Sequence, residues 1–207
     1  MPYAADSQAS VGGGRVSKRT LPELSGTSAT SVHVITVSLE GADPLVWRQL
    51  ELPSTMTLDR VHEVLQEVFS WEDCHLHAFE TAYGAFGPPG EPDPWLPGPG
   101  DEALVTLAQV AGEEGTDIAY VYDFGDDWRH AIVVDKIIPA TPGVSYPRCT
   151  AGWGETPEED SGGIWTFNAQ RATTRRMVRR SSPGVDDVDH ETETFLLKRL
   201  ATVLVPE

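Results

Sequence analysis

The sequence predicts an α+β fold, an antiparallel sheet with packed helices in a single compact domain. Three observations carry this. HVITVSL (His33 to Leu39), DIAYVYDF (Asp117 to Phe124) and WRHAIVVDKII (Trp128 to Ile138) alternate apolar and polar residues, the period-2 mark of half-buried strands. Leu58 to Phe69 instead carries an apolar stripe with the period of a helix. In order the elements read β-β-α-β-β-β-α, which sets helices against antiparallel strands.

Residues 1–30 are rich in Ser, Gly, Ala and Thr without a hydrophobic period, and are expected to form a disordered leader. The α+β domain is expected over residues 31–170, and a basic segment with a C-terminal helix over 171–207. In the first strand Ile35, Val37 and Leu39 alternate with polar positions; GADP then turns the chain into LVWRQLEL (Leu45 to Leu52). Thr57 suits the N-cap of the helix Leu58 to Phe69, where Leu58, Val61, Leu65, Val68 and Phe69 form the stripe. His62 and Glu63 fall off that stripe and are expected at the surface. A strand is expected from His75 to Ala82. Tyr83 to Glu102 holds too many prolines and glycines for either element and reads as a long loop. Thr106 opens a short helical turn, and Gly125-Asp126-Asp127 links the next two strands as a hairpin. Residues 139–165 read as irregular, and a last helix is expected at about His190 to Val203, with Phe195, Leu196, Leu200 and Val203 on one face.

A chain of 207 residues is long enough for one well-buried domain with tails. No long apolar run predicts a membrane span, and the first residues lack the apolar core of a secretory signal, so the expected location is the cytoplasm. Cys74 and Cys149 are the only cysteines and imply no disulfide framework. The net charge is −17, and residues 31–170 hold 5 Lys/Arg against 24 Asp/Glu. Such a core repels phosphate backbones, so duplex nucleic acid is a disfavoured partner. Five arginines gather between Arg171 and Arg180, a run suited to nucleic acid or an acidic partner, or to a solvated helix face or linker that docks on the acidic core.

Two stretches concentrate chemistry. WEDCHLHAF (Trp71 to Phe79) and YDFGDDWRH (Tyr122 to His130) hold three of the six histidines among carboxylates and tryptophans. Strand alternation would put His75 and His77 on one face, about 7 Å apart along the chain, where they can share a metal or flank a substrate. Trp128 and His130 would share a face of the later strand, with Asp123 aimed at the same end as an orienting group or ligand. Asp126 and Asp127 suit the turn itself. A third stretch, Tyr146-Pro-Arg-Cys149 with Glu158-Glu-Asp-Ser-Gly-Gly163, suggests a loop whose backbone approaches something closely. The chain has no phosphate-binding loop, GxGxxG, HExxH, CxxC or GxSxG, so no nucleotide cofactor is expected.

Together PLVWRQLELP, TLDRVHEVLQEVFSWEDCHLHAF, YVYDFGDDWRHAIVV, and PGVSYPRC followed by TPEEDSGGIW resemble the plasmid ORF-3-like family, in the family's order from about Val32 to Trp165. Some members are labelled passenger TnpR proteins of insertion sequences. The resemblance implies a compact α+β domain and adds little on activity; no serine- or tyrosine-recombinase signature accompanies it. Members often carry cysteines on both sides of the Pro-Pro-Glu-Asp segment, where this chain has Thr156 and Ser161. A cysteine-based metal site is therefore not expected here, whereas a site of N and O ligands or a metal-free acid/base site is.

The sequence thus predicts a small-molecule-binding domain with one His/Asp pocket, converting its ligand by acid/base or metal-assisted chemistry. His77 and His130 would carry the proton and Asp123 would orient them. His75, Glu159 and Asp160 would complete the lining, with Trp71, Tyr120 and Trp128 as walls. A divalent metal is a candidate cofactor. The competing expectation is a non-catalytic accessory or adaptor of a mobile or plasmid-borne element.

Overall fold

The computed structural model describes residues 20–22, 31–90 and 99–181, with side chains described as far as residue 174. The leader apart from residues 20–22, the middle of the long loop and the helix expected at His190 to Val203 lie outside the described residues.

Eight strands form one sheet: β1 (Ser31–Leu39), β2 (Trp47–Pro53), β3 (His77–Thr81), β4 (Gly84–Gly87), β5 (Gly100–Asp101), β6 (Asp117–Tyr122), β7 (Trp128–Pro139) and β8 (Arg148–Trp153). Their order across the sheet is β5-β4-β3-β6-β7-β1-β2-β8. Three helices accompany them, α1 (Leu58–Phe69), α2 (Leu107–Val110) and α3 (Gly163–Ser181), with a 3-10 turn at Glu102–Leu104. Six of the seven strand pairings are antiparallel, but β4 pairs with β5 in parallel. The sheet is therefore mixed. Parallel neighbours need a crossover of about a dozen residues, and the segment 88–99 supplies that length.

One face of the sheet carries the core. Cross-strand register aligns Leu39, His130, Tyr120 and Phe79 in one row, and Trp128, Tyr122 and His77 in the next. Beside them Ile35, Val37, Leu50, Ile132 and Val134 continue the apolar layer, all essentially without solvent contact. Helix α1 presses Leu58, Val61, Leu65 and Phe69 onto this layer. Each such side chain stabilises the fold by roughly 1.5–3 kcal/mol on burial. Thr57 takes the N-cap position, and Ser70 ends the helix in the left-handed conformation at φ 60°.

Several expectations fall. His62 is buried, not at the surface, because the inward face of α1 runs through Leu58, His62, Leu65, Gln66 and Phe69. The strand expected from His75 begins at His77, so the two histidines do not share a strand face. The long loop contains β4 and β5. The stretch 139–165 contains β8 and the start of α3, which runs across residue 170, where a boundary was expected. Every residue of β8 is exposed, so this edge strand has no buried face to impose an alternating pattern. Both cysteines are free and exposed. No helix among the described residues is long and apolar enough to cross a membrane.

Candidate functional site

Three segments meet at the end of β6: Trp71 to His75 ahead of β3, the β6–β7 turn, and the loop leading into α3. Trp71 is the anchor. Its ring stacks on Phe69 and Tyr122, with centroids at 5.4 and 4.8 Å, and its Nε1 donates to the Pro157 carbonyl at 3.1 Å. The Asp123 N–H donates to Leu76 O at 2.9 Å, which ties the turn to the segment holding His75. Asp126 Oδ2 accepts from the Gly162 N–H at 2.8 Å. At Gly163, φ is +75° and a Cβ would stand 2.8 Å from Asp126 O, so only glycine permits this approach of the two loops.

The result is an outer cluster around His75. Its Nε2 lies 3.2 Å from Asp160 Oδ1 and 3.7 Å from both Asp123 Oδ2 and Glu159 Oε2. Both His75 Nε2 and Glu159 Oε2 are buried without a hydrogen-bond partner. The other oxygen of Glu159 is fixed: it accepts from the Tyr122 hydroxyl and from the Glu72 N–H, each at 2.9 Å. Burial first, and then that hydrogen bond, push the Tyr122 phenol well above its ordinary pKa, so it stays a donor. Among the described residues no Lys or Arg pairs with Asp123, Glu159 or Asp160. Asp123 and Asp160 sit at φ 53° and 51°, a region that costs an L-residue roughly 1 kcal/mol. Strained backbone therefore aims two carboxylates at one imidazole.

An inner cluster lies behind it. His62 and His77 stack face to face, with ring centroids 3.5 Å apart and planes within 5°. Gln66 Nε2 donates to the Tyr120 hydroxyl at 3.0 Å; that hydroxyl meets His62 Nδ1 at 2.8 Å, and His62 Nε2 meets Asp73 Oδ1 at 2.9 Å. Every link is satisfied when His62 is neutral, with its proton on Nε2 toward the carboxylate. Burial, then the neighbouring His77, lowers the His62 pKa, which agrees with that tautomer. His77 Nε2 donates to the buried Glu102 carboxylate at 2.9 Å.

His130 belongs to neither cluster. It is 0% exposed, enclosed by Phe69, Trp71 and Tyr120 at centroid distances of 4.7, 5.2 and 5.6 Å. Neither ring nitrogen has a hydrogen-bond partner, and the same holds for Trp128 Nε1. Burial pushes its pKa down to about 3, against a weaker opposing influence from the Tyr120 and Trp128 backbone. It is a neutral ring in an aromatic cage.

The expected single pocket is thus divided. His75, Asp123, Glu159 and Asp160 come together, and Trp71 walls them. His77, with Tyr120, joins the inner network, while His130 and Trp128 lie in the aromatic layer. Residues that sequence reasoning missed include His62, Asp73, Glu102 and Tyr122. His62 stands four residues from Leu58 and seven from Phe69, a spacing compatible with the buried face, but its polarity masks that placement in the sequence. Glu102 lies 25 residues from His77 across a loop and leaves no local signal.

Three groups could hold a metal ion by proximity: His62, Asp73 and His77; Cys74, His75 and Glu159; and His75, Asp123 and Asp160. Ring geometry excludes the first as it stands. Lone pairs of imidazole lie in the ring plane, and an ion shared by two parallel rings 3.5 Å apart would stand about 1.75 Å out of each plane, nearly a full Zn–N bond of ~2.0–2.1 Å.

Comparison with known proteins is consistent throughout. The family model for plasmid pRiA4b ORF-3-like proteins matches residues 31–195. The uncharacterised protein y4hQ of Sinorhizobium fredii (strain NBRC 101917 / NGR234) is 37% identical over 172 residues, covering 80% of this chain and 87% of that protein. The crystal structure of MM3350, a protein of unknown function from Methanosarcina mazei Go1, is 31% identical with a TM-score of 0.64, covering 78% of this chain and 93% of that one.

Proposed function

The chain belongs to the plasmid pRiA4b ORF-3-like family, and we propose that it is a small-molecule-binding domain whose working surface is the outer cluster, suited to acid/base or metal-assisted chemistry. One observation carries this reading: His75 Nε2 is buried and unpartnered, yet three carboxylates from distant segments converge on it. A polar atom left unpaired in a fold costs roughly 1–3 kcal/mol, and such groups persist where a ligand completes them. In this reading His75 is the proton carrier, and Asp123 and Asp160 orient it. The role expected for His77 and His130 passes to it, because His77 is committed to Glu102 and His130 has no path to solvent. Both remain as positioning residues behind the site.

The negative field of this cluster selects the ligand by charge. Neutral or cationic molecules are favoured and free phosphates or carboxylates are repelled. The test uses the full chain after chelator treatment, with ethanolamine, imidazole and guanidinium as probes and inorganic phosphate as the contrast. Backbone amide shifts should move at 74–76, 123–125 and 160–162 with the first three and stay unmoved by phosphate. Equal response to phosphate, or probe-induced shifts confined to other surfaces, would overturn the reading. Trp165, 86% exposed at the start of α3, favours a second reading as a protein-contact module; a protein partner bound through Trp165 with no small-molecule response at His75 would establish it. In either case the acidic core leaves duplex DNA unbound near physiological salt.

A further inference from the structure

We infer that His75 Nε2, Asp123 Oδ2 and Asp160 Oδ1 form a three-ligand site for a first-row divalent metal ion, leaving coordination positions for water or a bound molecule. This rests on the reading of the outer cluster as the working surface and adds a specific occupant: His75 Nε2 then binds the ion instead of carrying a proton, so the metal-assisted form of that reading applies.

Distance is the first argument. Hydrogen bonds between nitrogen and oxygen run from about 2.7 to 3.2 Å. The His75–Asp160 contact, at 3.2 Å, lies at that limit, and the His75–Asp123 contact, at 3.7 Å, lies beyond it. Two donors each about 2.1 Å from an ion in tetrahedral geometry stand about 3.4 Å apart. Both separations lie close to such a coordination edge, and the three donor atoms all lie within 4.8 Å of one another.

Burial is the second. The imidazole nitrogen is buried and makes no hydrogen bond, and Asp123 is itself 7% exposed; the Asp160 side chain, 77% exposed, leaves the site open to solvent on that side. The other oxygen of Asp123 is held by the Gly125 N–H at 2.9 Å, which fixes the carboxylate while leaving Oδ2 free to ligate. That is the outer hydrogen bond by which metal-binding carboxylates are oriented. Charge is the third. A dication with two carboxylates and a neutral imidazole sums to zero, whereas the apo cluster carries uncompensated negative charge. Glu159 does not join this triplet, but its unpartnered Oε2 faces the same imidazole at 3.7 Å.

One nitrogen and two carboxylate donors suit Zn2+, Mn2+ or Co2+ better than Mg2+, which prefers oxygen alone and keeps its waters. Cys74 belongs to the rival triplet with His75 and Glu159, and a thiolate ligand would announce itself spectroscopically.

The test is calorimetric titration of the tag-free full chain with Zn2+, Co2+ and Mg2+, with absorption spectra of the Co2+ form. Unchanged circular dichroism and melting temperature qualify each variant. Expected are one Zn2+ or Co2+ per chain bound with a Kd below about 100 µM, no response to Mg2+, and no sulfur-to-cobalt charge-transfer band. His75→Ala and Asp123→Asn should each weaken binding by at least about tenfold, and Cys74→Ser should leave it unchanged. Absence of saturable Zn2+ and Co2+ uptake would overturn the inference, as would uptake indifferent to both His75→Ala and Asp123→Asn, or uptake abolished by Cys74→Ser. Ethanolamine or imidazole shifts that survive a failed metal titration leave the acid/base reading standing. Loss of both removes the site altogether.

Discussion

His62 and His77 lie face to face with ring centroids 3.5 Å apart, the first locked between Tyr120 and Asp73 and the second held by Glu102. This pair pins α1 to β3 and β6 at the centre of the core face. It is scaffolding built from polar side chains, and its energetics follow from complete hydrogen-bond satisfaction. A satisfied buried network is costly to interrupt because each deletion leaves a partner unpaired.

His62→Phe therefore tests the network directly. The ring stays aromatic, but Tyr120 and Asp73 each lose a partner. Chemical denaturation should show a loss of about 2–3 kcal/mol, and the melting temperature should fall by roughly 5–10 °C. A variant as stable as the wild type would mean that these hydrogen bonds contribute nothing.

His130→Phe should behave in the opposite way. No side-chain partner is orphaned by the change, because the ring nitrogens make no well-formed hydrogen bond and feel the Tyr120 and Trp128 backbone only weakly, and an apolar ring suits the cage of Phe69, Trp71 and Tyr120. The pH dependence follows from linkage. An unfolded imidazole titrates near 6.5, while burial holds His130 neutral in the fold down to about 3. The native state binds fewer protons between those values. Its contribution is complete above about pH 6.5 and is lost at about 1.4 kcal/mol per unit as the pH falls toward 3. His33 and His62, whose pKa values burial also lowers, add to the slope in the same direction. Urea unfolding from pH 7 to 5 should show wild type losing ground to His130→Phe, by about 2 kcal/mol at pH 5. Parallel profiles would contradict the assignment.

Asp123 is constrained by its backbone as well as by its carboxylate. At φ 53° asparagine is tolerated almost as well as aspartate, and it keeps an oxygen for the Gly125 N–H. Thermal unfolding should find Asp123→Asn within about 1 kcal/mol of wild type and Asp123→Ala lower by about 1–2 kcal/mol. Equal loss in both would show that charge, not conformation, supports the turn.

The strands at Ile35–Leu39, Ile118–Tyr122 and Trp128–Val134 were legible because their large apolar residues recur at every second position on the core face, even where Ser38 and Val121 are buried on the other. The edge strand Arg148–Trp153 buries neither face, and α3 touches the core chiefly through Ile164 and Phe167, so neither wrote a period into the sequence. His62 was hidden by its polarity: it sits on the buried face of α1, but a polar residue there reads as exposed unless its partners are known. The convergence of His75, Asp123, Glu159 and Asp160 was anticipated as composition. Its separation from His77 and His130 was not, because it depends on β3 starting two residues late. His75 lies ahead of the strand, where alternation no longer sets its direction.

The central claim is that the outer cluster works and the inner network holds. Its most direct test is urea unfolding of His75→Ala beside His62→Phe, with an ethanolamine titration of each followed by amide shifts at 74–76, 123–125 and 160–162. The account predicts that His75→Ala stays within about 1 kcal/mol of wild type and loses the probe response, while His62→Phe loses stability and, where folded, keeps the response. A His75→Ala variant that unfolds as readily as His62→Phe yet answers the probe like wild type would contradict it.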